Sequence, residues 1–325
     1  MTGNVVALSG GVGGAKLALG LSRVLDAGRL TIIANTGDDF RHLGLDISPD
    51  IDTLAYTLAG LSDPVQGWGR HNETWAFMAA LEQLGGETWF RLGDADLAMH
   101  VERTRRLAAG ETLTAITDDV RRRLGIAARI VPVSDDPIRT RLRTDAGWLD
   151  FQDYFVRRRC EPVVRELAYA GAQAARPSLL LLPALSDPGL RAVVICPSNP
   201  FLSIEPMLAV PGVREALAGC AAPVVAVSPI IGGKAVKGPT AKMMDELGLE
   251  VGSAAIARRY ADWIDALIVD SSDTGTAAPA GVEVIAAPTL MVGMEDRERL
   301  ALAALAAADR IAFATRPASR PAGLR

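Results

Sequence analysis

The chain has 325 residues, 49% hydrophobic and 22% charged, with a net charge of −4. That suits one large or two smaller globular domains, and the mild acidity offers no basic face, so nucleic acid is not an expected partner. Cys160, Cys196 and Cys220 are scattered without C-x-x-C spacing, which argues against a disulfide scaffold or a thiolate metal site and fits a reducing compartment. No apolar run is long enough for a membrane span. The start "MTGNVVALSGG" has no cationic region of the kind that opens a signal peptide, so a cytoplasmic location is expected.

From the amino terminus, "NVVALSG" predicts a strand that stops at glycine. "AKLALGLSRVLDAG" then predicts a helix with Leu17, Leu21, Val24 and Leu25 on one stripe. Further strands are expected at "LTIIANTG", "TWFRLG", "ARIVPVS", "SLLLLP", "AVVICP", "APVVAVSP", "ALIVDSS" and "VEVIAAP". Most are continuous and β-branched, as in a parallel sheet covered on both faces. Helical stretches fall between many of them, which gives a doubly wound, Rossmann-like α/β class. Residues 1–110 and 177–310 are read as that core. Residues 111–176 break the rhythm and are read as a smaller inserted α+β segment, with a hairpin in "TRLRTDAGWLDF". The Pro- and Arg-rich end, 311–325, is read as a disordered tail.

In an open α/β sheet, ligands bind beyond the carboxyl ends of the strands. The first such loop is "SGGVGGAK". Its Gly10, Gly11, Gly13 and Gly14 let backbone amides approach an anion at a helix N-terminus. It is not a dinucleotide fingerprint, because Lys16 stands where the third glycine belongs and the second strand ends in Asn35 rather than an acid. Nor is it a Walker loop, because Leu17 replaces the hydroxyl that would meet Mg²⁺.

Next come "NTGDDFRHLGLDISPDIDT". Ser48 can cap a helix that starts with Pro49, and Asp50 suits its dipole. Yet Asp38, Asp39, Asp46, Asp50 and Asp52 fall within fifteen residues, more than capping needs, so metal binding or proton abstraction competes with capping. In "RLGDADLAMHVERT", Asp94 reads as a cap, and Asp96, His100 and Arg103 share one helical face. Ser198 and Asn199 follow a buried strand in "PSNP". Gly232, Gly233, Lys234 and Lys237 form a flexible anion-gripping loop in "IIGGKAVKGP".

Taken in order, "SGGVGGAK", "NTGDDF", "ISPDIDT", "GWGRHNETW", "FRLGDADLAMH", "LTAIT", "VPVSDDP", "FQDYFVRRR", "PSNPFLSI" and "VAVSPIIGGKAVKGP" resemble the 2-phospho-L-lactate transferase family of coenzyme F420 biosynthesis. The resemblance spans about residues 5 to 245 and continues more faintly to about 295. It implies transfer of a phospho-acyl group (2-phospholactyl, phosphoenolpyruvyl or 3-phosphoglyceryl) from a guanosine diphosphate-linked donor to the ribityl hydroxyl of the deazaflavin FO. GMP leaves. It also implies Mg²⁺ and a homodimer. The carried-over donor site comprises Gly10, Gly11, Gly13, Gly14, Lys16, Ser198, Asn199, Gly232, Gly233 and Lys234. The deazaflavin side comprises Asp50, Asp52, Arg91, Asp94 and His100, with Arg91 standing where the family often has Lys. Asp50 and Asp52 are the expected catalytic residues. They are also expected to bind the metal, with Asp38 and Asp39 behind them. Loss of either Asp50 or Asp52 is expected to lower turnover far more than stability. The chain ends soon after the core, so only the first phosphodiester is expected, without added glutamates.

Three other readings compete. A non-enzymatic nucleotide-sugar-binding regulator of the gluconeogenesis-factor type shares a glycine loop and a D-D pair after the second strand. "SPDIDT", "FRLGDADLAMH" and "SPIIGGKAVKGP" together point away from it. An NAD-dependent dehydrogenase lacks its third glycine and its strand-two acid. An ATP-dependent phosphotransferase lacks its Walker hydroxyl.

Overall fold

A computed structural model describes residues 3–64, 67–236 and 238–315. In chain order the first elements are β1 (Asn4–Ser9), α1 (Gly11–Val24), β2 (Leu30–Ala34), the hairpin β3 (Phe40–His42) and β4 (Leu45–Ile47), and α2 (Pro49–Leu58). Next are α3 (Ala76–Gln83), α4 (Asp94–Ala108), α5 (Leu113–Arg123) and β5 (Arg129–Pro132). A small antiparallel sheet of β6 (Arg139–Thr144), β7 (Gly147–Asp150) and β8 (Val164–Ala170) follows. The rest alternates α6 (Leu181–Leu185), β9 (Leu190–Ile195), α7 (Glu205–Leu208), α8 (Val213–Ala218) and β10 (Val224–Val227). The hairpin β11 (Ile230–Ile231) and β12 (Lys234–Ala235) leads to α9 (Thr240–Glu246), α10 (Ser253–Tyr260), β13 (Ala266–Asp270), β14 (Glu283–Ala287) and α11 (Met294–Thr315).

The central sheet has seven parallel strands in the order β14-β13-β10-β9-β1-β2-β5. Strand β1 shows why a continuous apolar run suits this place. Val6 and Leu8 enter one core, while Val5 and Ala7 enter the core on the opposite face. Helices α1 and α11 pack closely, and Gly20 makes this possible: a Cβ there would stand 2.2 Å from the Arg297 carbonyl oxygen. The doubly wound α/β class read from the sequence is therefore the fold. Strand order reverses between β1 and β9, so their carboxyl ends form the topological switch point where such sheets bind ligands.

Two expected strands are not strands. "SLLLLP" leads into α6, with Leu181 and Leu185 buried at helical spacing while Leu179 is 89% exposed. "TWFRLG" is irregular, because Trp89 and Phe90 turn to pack against Phe40 and His42. Within 111–176, β5 pairs with β2 in the main sheet, so the separate small sheet begins only at β6. The reason is local: α5 and β5 form one more helix–strand unit. The "TRLRTDAGWLDF" hairpin is present as β6–β7. Of the tail read from 311, residues 311–315 continue α11 and the remainder lie outside the described residues. No helix among the described residues is long and apolar enough to cross a membrane.

Candidate active site

The glycine loop turns directly from β1 into α1. Only Gly11 within it needs left-handed backbone, at φ 66°. The other glycines are there for close approach. A Cβ on Gly13 would meet the Pro197 carbonyl at 2.5 Å, and one on Gly14 would meet Ser9 Oγ at 2.5 Å. A Cβ on Gly10 would stand 2.5 Å from Ser203 Cβ and 2.8 Å from Asp50 Oδ2. Ser198, beyond β9, accepts from the Gly10 amide at 3.2 Å and donates to the Gly10 carbonyl at 2.9 Å, and so stitches the switch point together. The Gly11 amide donates to Asp50 Oδ1 at 2.6 Å. In the first turn of α1, that leaves the amides of Val12 and Gly13 without intrahelical partners.

Beyond β2 lies a buried acidic nest. Asn35 Nδ2 donates to Asp38 Oδ1 at 3.0 Å, to Asp50 Oδ2 at 2.9 Å and to the Leu202 carbonyl at 3.2 Å. Its Oδ1 accepts from the Gly37 amide at 2.8 Å. Ser48, expected as a helix cap, instead donates to Asp39 Oδ2 at 2.8 Å, and its side chain caps nothing. Asp39 Oδ1 is buried with no hydrogen-bond partner. Burial, and then the charge of Asp50, push Asp38 well above the usual carboxylate range. Burial pushes Asp39 up to about 8 against the Ser48 hydrogen bond. It pushes Asp50 up to about 6 against its bonds from Asn35 and Gly11. Among the described residues no lysine or arginine lies within ion-pair distance of these three carboxylates. The charges of Arg139 and Arg103 reach Asp39 only at longer range, and buried carboxylates without an ion-pair partner carry oxygens of the kind a divalent cation takes. The small sheet closes on this nest through Thr140 N to the Gly37 carbonyl, 2.8 Å, and Gln152 Nε2 to the Asp38 carbonyl, 3.3 Å.

Asp52 has different company. It faces Arg103 of α4 as a two-point ion pair, with Arg103 Nη1 3.1 Å from Asp52 Oδ2 and Nη2 on Oδ1. His100 stands between acids, its Nδ1 3.7 Å from Asp52 Oδ2 and its Nε2 3.3 Å from Asp96 Oδ2. Tyr56 donates to Asp96 Oδ1 at 2.5 Å. Asp52, Asp96 and His100 are near enough to share an ion, all within 4.8 Å. Among the described residues this is the one group of three acidic or imidazole side chains so placed, although Arg103 already answers the charge of Asp52.

The remaining expected residues scatter. Arg91 is exposed and stacks on Trp75, 3.9 Å from its ring centre. Asp94 caps a helix other than its own: its carboxylate accepts from Ala76 N and Phe77 N at 3.0 Å each, at the start of α3. Asn199 accepts from Phe201 N at 2.9 Å and Leu202 N at 3.1 Å, and so caps a π-helical turn at Pro200–Ile204. Lys16 donates to the Met291 carbonyl at 2.9 Å. Gly232 and Gly233 form the turn of the β11–β12 hairpin at φ 56° and 71°, with Lys234 exposed beside them. Lys237 lies outside the described residues. Asp46 accepts nothing from the nest; its amide bonds Thr104 Oγ1 and its carboxylate pairs with Arg41 at 3.4 Å. A cavity of about 420 Å³ lies away from all this, at the amino edge between Leu25, Ala59 and Ile126.

Residues 5–289 match the family model described as "2-phospho-L-lactate transferase CofD". The chain is 40% identical to a phosphoenolpyruvate transferase of Kitasatospora aureofaciens, over 94% of this chain and 98% of that one. It is 38% identical to a 2-phospho-L-lactate transferase of Methanopyrus kandleri, over 90% of this chain and 94% of that one. Among solved structures, an upf0052-family protein of Bacillus halodurans superposes with a TM-score of 0.60 at 16% identity, covering 94% of this chain and 99% of that one, a likeness of fold. By motif order, fold and relatives alike, the chain belongs to the 2-phospho-L-lactate transferase CofD family of phospho-group transferases.

Proposed function

We propose that the protein transfers a three-carbon phospho-acyl group from a guanosine diphosphate-linked donor to the ribityl hydroxyl of the deazaflavin FO. The product is a phosphodiester precursor of coenzyme F420, and GMP leaves. The observation that carries this reading is the nest at the switch point. There, Asp38 and Asp50 share one neutral amide from Asn35, and Asp50 also binds the first amide of the glycine-loop helix. The relatives named phosphoenolpyruvate transferase and 2-phospho-L-lactate transferase support the three-carbon acid.

In this reading Asp38 and Asp50 hold Mg²⁺ through carboxylate oxygens, with Asp39 beside them. The raised proton affinity of all three and the unpartnered Asp39 Oδ1 support it. The bound ion supplies neutralisation of charge on the transferring phosphoryl group. The Val12 and Gly13 amides at the head of α1 receive a diphosphate oxygen, and Lys234 adds a positive charge from its hairpin. The acceptor hydroxyl attacks phosphorus, an O–P bond forms, the bond to the GMP oxygen breaks, and the hydroxyl proton goes to a carboxylate. Asp39 suits that last task, since one of its oxygens has no partner. Phe40, Trp89 and Phe90, partly buried with ring centres 4.8 to 6.3 Å apart, offer flat surfaces for a tricyclic acceptor next to Asp39 in the chain. His100 is 1% exposed, so it supports the site from behind Asp52 rather than touching the acceptor.

Mass spectrometry of the product from FO, Mg²⁺ and each of the phosphoenolpyruvyl, 2-phospholactyl and 3-phosphoglyceryl donors tests this reading and names the acid. Absence of a phosphodiester from all three donors would reject it. A nucleotide-sugar complex without turnover would favour the regulator reading instead.

A further inference from the structure

We infer that Arg103 is a positioning residue and Asp52 its anchor: the pair clamps helix α2 to helix α4 so that Asp50 meets Gly11 and Asn35. This rests on the proposed reading of Asp50 as a site carboxylate. Asp50 and Asp52 lie in the first turn of α2, both buried, two residues apart. Their partners differ in kind. Asp50 bonds an amide of the glycine loop and an amide of the β2 loop, while Asp52 is matched oxygen for nitrogen by a guanidinium that is itself 3% exposed. The difference is one of charge: Asp52 is neutralised by a buried guanidinium, whereas Asp50 faces only neutral donors.

Helix α4 grips α2 at a second point one turn on, where the Tyr56 hydroxyl bonds Asp96, and His100 fills the gap between Asp96 and Asp52. The same stretch of α4 also holds the hairpin that precedes α2. Arg103 Nη1 donates to the Asp46 carbonyl at 3.3 Å, and Thr104 Oγ1 accepts from the Asp46 amide at 2.7 Å. The entry to α2 is thus fixed from one side, and Asp50 projects from it toward the loop on the other. Lys could supply the charge of Arg103 but not the planar fork that sets the angle of the helix.

The test uses Arg103→Lys, Arg103→Met, Asp52→Asn and the double variant Asp52→Asn/Arg103→Gln, which replaces the ion pair by a neutral hydrogen-bonded one. Circular dichroism first confirms that each folds; Arg103→Lys serves if Arg103→Met does not. Hydrogen exchange at the Gly11 amide reads the geometry without substrate, Mn²⁺ binding by water relaxation reads the nest, and kcat and KM read the reaction. The clamp predicts faster Gly11 exchange and at least about a tenfold lower kcat in the single variants, with donor KM little changed. It also predicts that Asp52→Asn still binds Mn²⁺ and that the double variant recovers both Gly11 protection and most of kcat. A folded double variant as inactive as Asp52→Asn, with Mn²⁺ binding lost in both, would overturn it by making the charge of Asp52 itself necessary. Unchanged Gly11 exchange in the folded Arg103 variants would overturn it too. If the wild type makes no product, the proposed function fails, while Gly11 exchange still decides the clamp.

Discussion

The Gly11 amide donates to Asp50 Oδ1 at 2.6 Å. This bond ties the turn after β1 to the first turn of α2, so the amides that would grip a diphosphate and the carboxylate that would face a metal move as one body. Replacing Asp50 by Asn keeps the size but removes the charge. We expect Asp50→Asn to lower kcat by roughly 10²-fold or more at saturating Mg²⁺ and to cost about 1–3 kcal/mol of stability, since its amide nitrogen must face either the Gly11 or the Asn35 amide, both donors. Steady-state rates beside urea melts check both halves.

Asp52→Ala should cost more stability still. Removing it leaves the Arg103 guanidinium buried and unpaired, at a cost of about 3–5 kcal/mol. This departs from the expectation, drawn from clustering alone, that either aspartate would matter to turnover far more than to stability. Urea unfolding of Asp52→Ala against Asp50→Asn makes the comparison directly.

The nest also predicts a pH dependence. Asp39 titrates near 8 and Asp50 near 6 in the folded chain, both raised by burial. The folded state then holds protons that the unfolded state has already released. Their contribution to stability is present at low pH and is lost as pH rises through 6 and 8. In Mg²⁺-free buffer the melting temperature should fall between pH 6 and pH 8, and Asp39→Asn should flatten the upper part of that fall. Mg²⁺ should raise the melting temperature more at pH 8 than at pH 6, because it competes with those protons.

Gly10→Ala tests the close packing of the loop. Its Cβ would overlap Ser203 at 2.5 Å and crowd Asp50 at 2.8 Å, so both stability and turnover should drop, stability by about 1–3 kcal/mol. Gly20→Ala is the matched contrast. It collides with Arg297 in the α1–α11 contact, away from the nest, and should cost a similar amount of stability while turnover per folded molecule holds.

Much of the fold could be read in advance because buried parallel strands announce themselves as apolar runs between glycines. The two misread runs, "TWFRLG" and "SLLLLP", are apolar for other reasons: one packs rings against a hairpin, the other is one buried stripe of a short helix. The carboxylate cluster was legible as an excess over capping, but its division was not. Which of Asp50 and Asp52 carries an ion pair depends on Arg103, 51 residues from Asp52 in sequence and paired with it only through the packing of α4 on α2. The amide of Asn35 was visible as a polar residue ending a buried strand, yet the sequence suggested only what it was not, a ribose-binding acid. Asp94 and Asn199 carry the right chemistry for ligand contact, and in both the side-chain oxygens cap short helical segments nearby. Periodicity reports which face a residue occupies; it does not report which neighbour has already claimed its oxygen.

The most direct test of the central claim, that the nest at the switch point drives phosphoryl transfer to an alcohol, is the rate of GMP release from a guanylated three-carbon donor. It should be measured with and without FO, in the wild type and in Asp50→Asn. The account predicts release that requires both FO and Mg²⁺ and that falls by roughly 10²-fold or more in the variant. Release at the wild-type rate from Asp50→Asn, or release indifferent to FO, would contradict it.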